Sequence, residues 1–284
     1  KCYWLRVFEI PEGSRASKGR AIQNLIQIEN EDRIKAVICT QDLKDEDYVN
    51  SHYVIMATKQ GVVKKTVLEQ YSRPRQSGIN AITVREGDEL LEAKLTTGSS
   101  QVILGLKSGK AIRFEESKTR PMGRSASGVR GVTLADENDE VIGMVAVNNL
   151  EENILVVSEK GYGKRSELED YRITNRGGKG VKTLTITEKT GNLVAIKSVT
   201  DADDLMIINR SGVAIRISVE DLRVMGRTAQ GVKVINLRAD DEIAAVAKVV
   251  KEEDMVDEDE VRDIEVDETN NSTDESIGNT SEEN

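Results

Sequence analysis

The stretch NRGGKGVKTL, residues 175–184, places three glycines and three cationic side chains within ten positions. Glycine permits a positive φ and a close approach of the backbone, whereas Lys and Arg seek phosphate or carboxylate groups. A single copy is nevertheless more typical of a solvated turn than of an anion-binding loop. Its interpretation depends on whether the same pattern returns elsewhere in the chain.

The pattern returns about every fifty residues. A glycine followed by alternating apolar residues occurs at Gly19, Gly78, Gly128, Gly180 and Gly231. A second set of glycines, in the segments KQGVVKK, KSGKAIR, EKGYGKR and RSGVAIR, has a similar period and lies at Gly61, Gly109, Gly161 and Gly212. Two sets in register indicate internal repeats, and the boundaries fall at about 1–52, 53–100, 101–152, 153–203 and 204–251.

Each complete repeat contains four strand-length apolar runs. In the third repeat they are QVILGL, AIRF, GVRGVTL and VIGMVAV, with an Arg-rich loop before the third run and an acidic turn after it. Runs of this length, bounded by Gly, Asp and Asn, favour strands over helices. We therefore predict an all-β, propeller-like disc of four-stranded blades over residues 1–251, with about five repeats of which the first is trimmed. A solenoid is the structural alternative.

The Arg-rich loop carries cations in every repeat, which a solvated turn has no reason to do. The loop cations are Arg15, Lys18 and Arg20 in the first repeat, Arg73 and Arg75 in the second, Arg120, Arg124 and Arg130 in the third, Arg172, Arg176, Lys179 and Lys182 in the fourth, and Arg223, Arg227 and Lys233 in the fifth. The second strands carry Lys64, Lys65, Arg113, Lys164, Arg165 and Arg216. Radial repetition predicts that these residues lie along one positive rim, which suits double-stranded DNA.

The formal net charge of −10 hides an asymmetry along the chain. Residues 252–284 contain fifteen Asp/Glu and one Arg, so that residues 1–251 carry a net charge of +4. We predict that this acidic tail is disordered, because it has few apolar residues to bury. It serves either solubility or competition with DNA for the basic rim.

Other kinds of site find little support in the sequence. His52 is the single histidine and Cys2 and Cys39 are the two cysteines, so no metal-ligand spacing exists and no disulfide framework is expected. Acidic pairs such as Asp88-Glu89 recur at one turn of the repeat, which favours a turn over acid-base catalysis. Scarce aromatic residues argue against stacking on single strands. We expect no catalytic residue, metal site or cofactor in this chain, and no membrane contact, because no apolar run is long enough to span one.

Several segments resemble a known family. MATKQGVVKKT, GLKSGKAIRF, MGRSASGVRGV, EKGYGKRSELEDY and MGRTAQGVKVI are similar to repeat signatures of the gyrase A C-terminal domain, which is a β-pinwheel relative of propellers found in DNA gyrase. The resemblance covers residues 1 to about 251. It implies a disc that wraps duplex DNA round a basic perimeter and so supports ATP-dependent negative supercoiling. An acidic tail after the last blade is also familiar from some members.

The resemblance also implies partners and a cellular setting. The strand-cleaving tyrosine and the ATPase, with its ATP and Mg²⁺, would lie outside this chain. An N-terminal part would bring the chain together with a second copy of gyrase A and with the gyrase B subunit. The setting would be the bacterial cytoplasm, on the chromosome. The alternatives are the equivalent domain of topoisomerase IV and a propeller that serves as a protein-interaction scaffold.

The sequence departs from that family at its hallmark box. The box reads Q-R-R-G-G-R/K-G in the first blade, whereas the nearest match here is TNRGGKG, residues 174–180, in the fourth repeat. We interpret this match as a degenerate sister loop and expect the true box in a blade upstream of Lys1. On this interpretation the chain holds four full repeats and one trimmed repeat of a six-bladed disc.

Bending energy sets the number of contacts that wrapping requires. A compact body of this length has an outer radius of about 23 Å, which puts the axis of a bound duplex at about 33 Å. A half-turn at that radius costs roughly 14 kcal/mol by an elastic estimate. Each neutralised phosphate contributes about 1.2 kcal/mol per tenfold fall in salt, so about a dozen contacts are needed. The 21 cations named above meet that number.

Overall fold

Strands account for most of the regular structure, as the apolar runs predict. The computed structural model describes residues 1–14, 17–29, 31–238 and 241–250. Within them the strands are β1 (Tyr53–Thr58), β2 (Val62–Val67), β3 (Leu90–Thr96), β4 (Gln101–Leu106), β5 (Lys110–Glu115), β6 (Val129–Arg130), β7 (Val141–Val147), β8 (Asn153–Ser158), β9 (Tyr162–Glu167), β10 (Val181–Lys182), β11 (Leu193–Val199), β12 (Asp203–Asn209), β13 (Ala214–Ser218), β14 (Val232–Lys233) and β15 (Ile243–Val250). The helices are α1 (Glu46–Ser51) and the 3₁₀ segments Val7–Glu9, Ile22–Asn24, Leu68–Tyr71, Glu116–Lys118 and Leu168–Asp170.

The strands form four antiparallel sheets with one common order. The sheets are β3-β1-β2-β6, β7-β4-β5-β10, β11-β8-β9-β14 and, within the described residues, β15-β12-β13. In each four-stranded sheet the first two strands of a repeat form a hairpin, and the last apolar run of that repeat pairs with the first strand. The predicted all-β fold class is confirmed.

The fourth strand of each four-stranded sheet comes from the following repeat. β6 of the third repeat pairs with β2 of the second at Val62 and Val63. β10 and β14 pair in the same way with β5 and β9, and Ile79 of the second repeat forms a bridge with Cys2 of the first. The sequence predicts four strands per repeat, but it does not reveal that one of them crosses to the preceding sheet.

Both faces of the central strands are buried between neighbouring sheets. Ile103 of β4 packs with Ile154 and Val156 of the next sheet, whereas Val102 and Leu104 pack against the preceding sheet. Successive side chains of a strand point to opposite faces, so a strand that is covered on both faces is apolar at every position. This explains why QVILGL is a continuous apolar run rather than an alternating one.

The last sheet is less covered than the others. It has three strands among the described residues, and β13, which corresponds to a strand with two partners in the other sheets, is an edge strand here. Val213, which precedes β13, is 50% exposed, and no atom lies within 4 Å of the position that a Cβ on Gly212 would take. The predicted acidic tail, residues 252–284, lies outside the described residues.

Candidate nucleic-acid interface

Four described loops carry nine of the predicted DNA-binding cations. We name them loop 2 (residues 72–78), loop 3 (119–128), loop 4 (171–180) and loop 5 (222–231), and together the loop row. Each begins after the second strand of its own repeat. Loops 3, 4 and 5 end at β6, β10 and β14, the short strands that pair with the preceding sheet and that we call crossing strands, and loop 2 ends at the bridge from Ile79. A loop of this kind therefore connects two neighbouring repeats.

The longer loops are fixed by backbone hydrogen bonds to the preceding sheet. The amide of Met122 in loop 3 donates to the carbonyl of Lys65 on β2 at 2.8 Å, and that of Thr174 in loop 4 donates to the carbonyl of Arg113 on β5 at 2.9 Å. Met225 makes the equivalent bond from loop 5 to β9 at 2.8 Å. The same anchor thus holds all three loops at one structural position.

The glycine that ends each loop serves this close packing. Gly180 has a φ of +72°, and a Cβ there would lie 2.7 Å from the carbonyl oxygen of Ala111 on β5. Gly128 and Gly231 have the same positive φ and approach a backbone carbonyl on β2 and β9 equally closely. Only glycine tolerates both the conformation and the contact. In the opening motif Gly180 is therefore required by the fold.

Arginine side chains hold successive loops together. Nε of Arg176 in loop 4 donates to the carbonyl of Lys118, and its Nη1 donates to the carbonyl of Arg130, both at 3.0 Å. Arg227 in loop 5 donates from the same two atoms to the equivalent carbonyls of the fourth repeat. Because these carbonyls flank the preceding loop, the two guanidinium groups connect loop 4 to loop 3 and loop 5 to loop 4.

Threonines that follow loops 2, 3 and 4 in the sequence add a second contact at each junction between loops. Thr83, Thr133 and Thr185 lie five residues after the loop glycine. Each hydroxyl donates to a backbone carbonyl of the next loop, at 2.8, 2.7 and 3.3 Å respectively. The loop row is therefore continuous from loop 2 to loop 5.

Fifteen of the predicted cations are accessible to solvent. They are Lys18, Arg20, Arg73, Arg75, Arg120, Arg124, Arg130, Arg172, Arg176, Lys179, Lys182, Arg216, Arg223, Arg227 and Lys233, of which Arg124, Arg176 and Arg227 are partly buried. Most belong to the loop row or to the strand that follows a loop. Arg15 lies outside the described residues.

Five strand cations are buried, which corrects the prediction that they lie along an accessible rim. Lys64, Lys65, Arg113, Lys164 and Arg165 are at most 7% exposed. Their strands β2, β5 and β9 have a partner strand on each side and packed residues on both faces, so side chains of either orientation are covered. The polar atoms of these residues contact protein carbonyls and carboxylates, which leaves them unable to reach phosphate.

Arg113 and Arg165 occupy the same position in the third and fourth repeats, and each donates a hydrogen bond to the loop of the following repeat. Nη1 of Arg113 donates to the carbonyl of Tyr171 at 2.9 Å, and Nε of Arg165 donates to the equivalent carbonyl of the fifth repeat at 2.5 Å. In the first repeat Trp4 takes this place, and its Nε1 donates to the carbonyl of Tyr71 at 3.0 Å. The position therefore requires a donor rather than a positive charge.

Lys65 occupies the same position with a different partner. Its Nζ lies 3.0 Å from the carboxylate of Glu116, and both side chains are buried. Glu116 also accepts hydrogen bonds from the Thr96 hydroxyl at 2.7 Å and the Ser100 amide at 3.2 Å. In the fourth repeat the residue equivalent to Glu116 is Leu168. The acid thus accompanies the replacement of Arg by Lys.

Two further lysines hold the loops from within the protein. Nζ of Lys64 donates to the carbonyls of Ala81 at 2.6 Å and Arg124 at 2.5 Å. Nζ of Lys164 donates to the carbonyls of Gly226 and Arg227 in loop 5, of which Arg227 is the equivalent of Arg124. Burial lowers the pKa of both lysines to about 8, and the charge of Arg124 contributes for Lys64. Each buried ammonium therefore lies beneath an accessible loop.

The acidic turns contribute to the fold. Asp88 accepts hydrogen bonds from the amides of Gln60 and Glu89 at 2.9 and 2.7 Å, and Asp139 binds the turn at Ser108 in the same manner. Within the described part of the chain there is no group of three or more His, Cys, Asp or Glu that could hold a metal ion. The described helices include none that is long and apolar enough to cross a membrane.

A family model described as "DNA gyrase C-terminal domain, beta-propeller" matches residues 1–41, 52–97, 107–148, 152–200 and 203–249. The chain belongs to this family. The resemblance noted in the sequence is thereby confirmed, and the propeller description of the gyrase family favours radial repeats over a solenoid.

Curated relatives place the chain beside the A subunits of gyrase. The DNA gyrase A protein of Staphylococcus aureus strain MRSA252 is 47% identical over 261 residues, which cover 92% of the chain and 29% of that relative. The same protein of strain NCTC 8325 is 47% identical over 262 residues with the same coverage. The chain therefore spans less than a third of the length of these gyrase relatives.

Solved structures show the same fold. The crystal structure of the C-terminal domain of DNA topoisomerase IV matches with a TM-score of 0.75 and 26% identity, and covers 82% of this chain and 71% of that one. A DNA gyrase A C-terminal domain matches with a TM-score of 0.71 and 24% identity, and covers 82% and 76%. Both domains share the architecture of this member of the gyrase family.

Proposed function

We propose that this chain binds duplex DNA without base specificity and bends it along the loop row, as the C-terminal part of a DNA gyrase A protein. The observation that carries this proposal is the continuity of the row. Three junctions between loops are closed by hydrogen bonds, so the accessible cations belong to one surface. A continuous positive surface attracts a polyanion and follows its backbone.

The number of accessible cations is compatible with bending. About a dozen phosphate contacts offset a half-turn of duplex at the radius estimated above. Fifteen accessible cations remain after the five buried ones and Arg15, which lies outside the described residues, are removed. Of these, Arg176 and Arg227 also donate to protein carbonyls, and Arg216 pairs with Asp204. The number of accessible cations exceeds the number of contacts needed by less than the sequence indicates. This favours a bend of the duplex that extends along the arc covered by the described repeats.

The proposal extends to the complete enzyme through the gyrase relatives. DNA bent by this part would be presented to a cleavage centre elsewhere in the A subunits, while the B subunit would hydrolyse ATP with Mg²⁺. The result would be negative supercoiling of the chromosome in the bacterial cytoplasm. This chain would contribute no catalytic residue and no cofactor.

Topoisomerase IV is the second candidate, because its C-terminal domain has the higher TM-score of the two solved structures given above. The 47% identity to gyrase A proteins over 92% of the chain favours gyrase. A scaffold that binds proteins is supported less, because such a function gives no reason for cations at one position of every repeat.

The test is a titration of the chain with two duplexes of equal length and unrelated sequence at several salt concentrations. We expect equal affinities and a steep, linear fall of log K with log salt, with a slope of about −0.9 for each phosphate contact. A flat salt response, or a strong preference for one duplex, would contradict the proposal.

A further inference from the structure

The junction between loops 2 and 3 differs from the other two. Loop 2 is shorter than loop 3. The guanidinium groups of Arg176 in loop 4 and Arg227 in loop 5 donate to backbone carbonyls of the preceding repeat. At the junction of loops 2 and 3 the described residues form no equivalent hydrogen bond from a guanidinium group to a carbonyl.

Arg124 of loop 3 occupies the position of Arg176 and Arg227, but its guanidinium lacks their hydrogen bonds among the described residues. Its backbone amide donates to Gln70 Oε1 at 3.1 Å, as the amide of Arg227 does to Asp170 at 3.0 Å. Its guanidinium, however, donates no hydrogen bond and forms no ion pair to any described residue, in contrast to that of Arg227. A planar group with five donors is therefore available at this junction.

A cleft of about 510 Å³ opens beside Arg124. Its lining includes Arg75 of loop 2, which likewise lacks a side-chain partner among the described residues, together with Gln70, Asn80 and Ser125. These side chains offer two guanidinium groups, two carboxamides and a hydroxyl. The lining contains no Asp or Glu, whereas the residue equivalent to Gln70 at the junction of loops 4 and 5 is Asp170. The cleft is therefore suited to an anion.

A third cation lies beneath the cleft. The buried ammonium of Lys64 donates to the carbonyl of Arg124 from beneath. Burial and the charge of Arg124 lower the pKa of Lys64 to about 8, so this third cation is still charged at neutral pH. An anion in the cleft would reduce the repulsion between these groups.

We propose that the cleft between loops 2 and 3 binds a phosphate group through a fork formed by Arg75 and Arg124, and that this group is a phosphodiester of the bound duplex. Arginine binds phosphate oxygens with two parallel N–H donors, which gives both charge and geometry. Gln70 and Asn80 have amide groups that complete the set of donors. The cleft then contributes more to DNA binding than other pairs of arginines in the loop row, an inference that rests on the proposed function.

The test compares two double variants of the 284-residue chain that remove equal charge. Arg75→Ala/Arg124→Ala removes the fork, and Arg73→Ala/Arg120→Ala removes two exposed arginines outside the cleft. Both should unfold at the same temperature as the unchanged chain, because none of the four side chains has a protein partner among the described residues. We expect the first variant to bind duplex DNA about tenfold more weakly than the second at moderate salt.

A second measurement identifies the source of the phosphate. Inorganic phosphate is titrated into the labelled chain while the Nε–H signals of arginine are followed by NMR. We expect Arg75 and Arg124 to shift together at lower phosphate than Arg73 and Arg120. If these shifts occur but the two double variants bind DNA equally, the cleft binds free phosphate and its assignment to DNA is overturned.

The remaining outcomes separate this inference from the proposed function. If the unchanged chain binds duplex DNA, while the double variants differ less than about threefold and phosphate produces no selective shift, the cleft proposal fails and the proposed function stands. If the unchanged chain does not bind duplex DNA and the selective shift persists, the proposed function fails and the phosphate site stands.

Discussion

At the scale of single residues, a cation in this protein has one of two roles, and its position in the repeat decides which. Cations of the loops are accessible, and Arg176 and Arg227 among them also donate to carbonyls, whereas those of β2, β5 and β9 are buried and donate to carbonyls or pair with an acid. Trp4 makes the same bond as Arg113 and Arg165 without any charge. Substitution of a buried cation should therefore lower the stability of the folded chain rather than remove a contact with DNA.

The buried pair of Lys65 and Glu116 tests this distinction. Glu116→Leu should lower the free energy of unfolding by about 3–5 kcal/mol, because it leaves the ammonium buried without its acid. Lys65→Arg/Glu116→Leu should recover much of that loss, because it recreates the pair formed by Arg113 and Leu168 in the next sheet. Urea unfolding of the two variants and of Lys65→Arg alone measures the coupling. An equal loss of unfolding free energy in Glu116→Leu and in Lys65→Arg/Glu116→Leu would show that an arginine at position 65 does not reach the backbone carbonyls of the next loop.

The lysines beneath the loops give the stability a specific pH dependence. Lys64 and Lys164 have a pKa of about 8 in the folded chain, against about 10.4 when unfolded. Between these values the unfolded chain binds more protons, so the free energy of unfolding should rise with pH, by at most about 3 kcal/mol for each lysine. The raised pKa of Tyr71, about 12, has the opposite effect above pH 10.

Urea unfolding between pH 7.5 and 9.5 measures this rise. The variant Lys164→Met provides the control, because the apolar Ile112 occupies the equivalent position in the third repeat. It should remove about half of the increase. A free energy of unfolding that does not change over this range, or an unchanged slope in the variant, would contradict the depressed pKa values.

At the scale of the element, the crossing strand is the device that joins one repeat to the next. It needs a glycine where the chain passes the preceding sheet, so two glycines with similar φ should respond differently to substitution. Gly180→Ala places a Cβ 2.7 Å from the Ala111 carbonyl oxygen, whereas Gly212→Ala meets no atom within 4 Å. We expect a loss of about 1–2 kcal/mol for the second, from backbone strain alone, and clearly more for the first. Thermal unfolding of both variants provides the comparison, and equal losses would refute the role of close packing.

Lys179 in loop 4 and Lys182 just after it are exposed, whereas Arg176, a few residues earlier, also holds the loop by hydrogen bonds. Lys179→Ala/Lys182→Ala should weaken DNA binding at low salt without changing thermal stability, because both side chains are exposed. Arg176→Ala should lower stability by about 1–3 kcal/mol, because it removes the two hydrogen bonds that join loop 4 to the third repeat. Affinity and unfolding measured on the same samples separate the two effects. Loss of stability in the lysine variant would show that these cations also hold the loop.

At the scale of the whole molecule, the sequence predicts what repeats but not how the repeats connect. The period, the strand runs and the accessible arginines follow from local patterns that each residue carries. The pairing of Ile79 with Cys2 and the burial of Lys64 do not, because they depend on strands from different repeats. A run such as VVKKT has the same letters whether its lysines meet water or backbone carbonyls. The cleft beside Arg124 depends on contacts between repeats in the same way, and the shorter loop 2 is the single sign of it in the sequence.

The acidic tail lies outside the described residues, and its effect on DNA binding stays a prediction from charge. Deletion of residues 252–284 removes a net charge of −14. We expect tighter binding of duplex DNA at low salt, because a tethered polyanion competes at a local concentration that reaches the millimolar range. The gain should shrink as the Debye length falls below about 10 Å. Equal affinities of the two chains at low salt would leave the tail a solubility role.

The crossing strands also determine the order in which the protein becomes complete during synthesis. β2 ends at Val67, and the strand that covers its edge begins at Val129, which a ribosome reaches several seconds later at roughly 5–20 residues per second. An uncovered edge strand recruits strands of other nascent chains unless charged side chains interrupt it. Lys64 and Lys65 lie on that strand, so we expect two charges that are buried in the folded chain to oppose aggregation of the unfinished sheet until its last strand has been made.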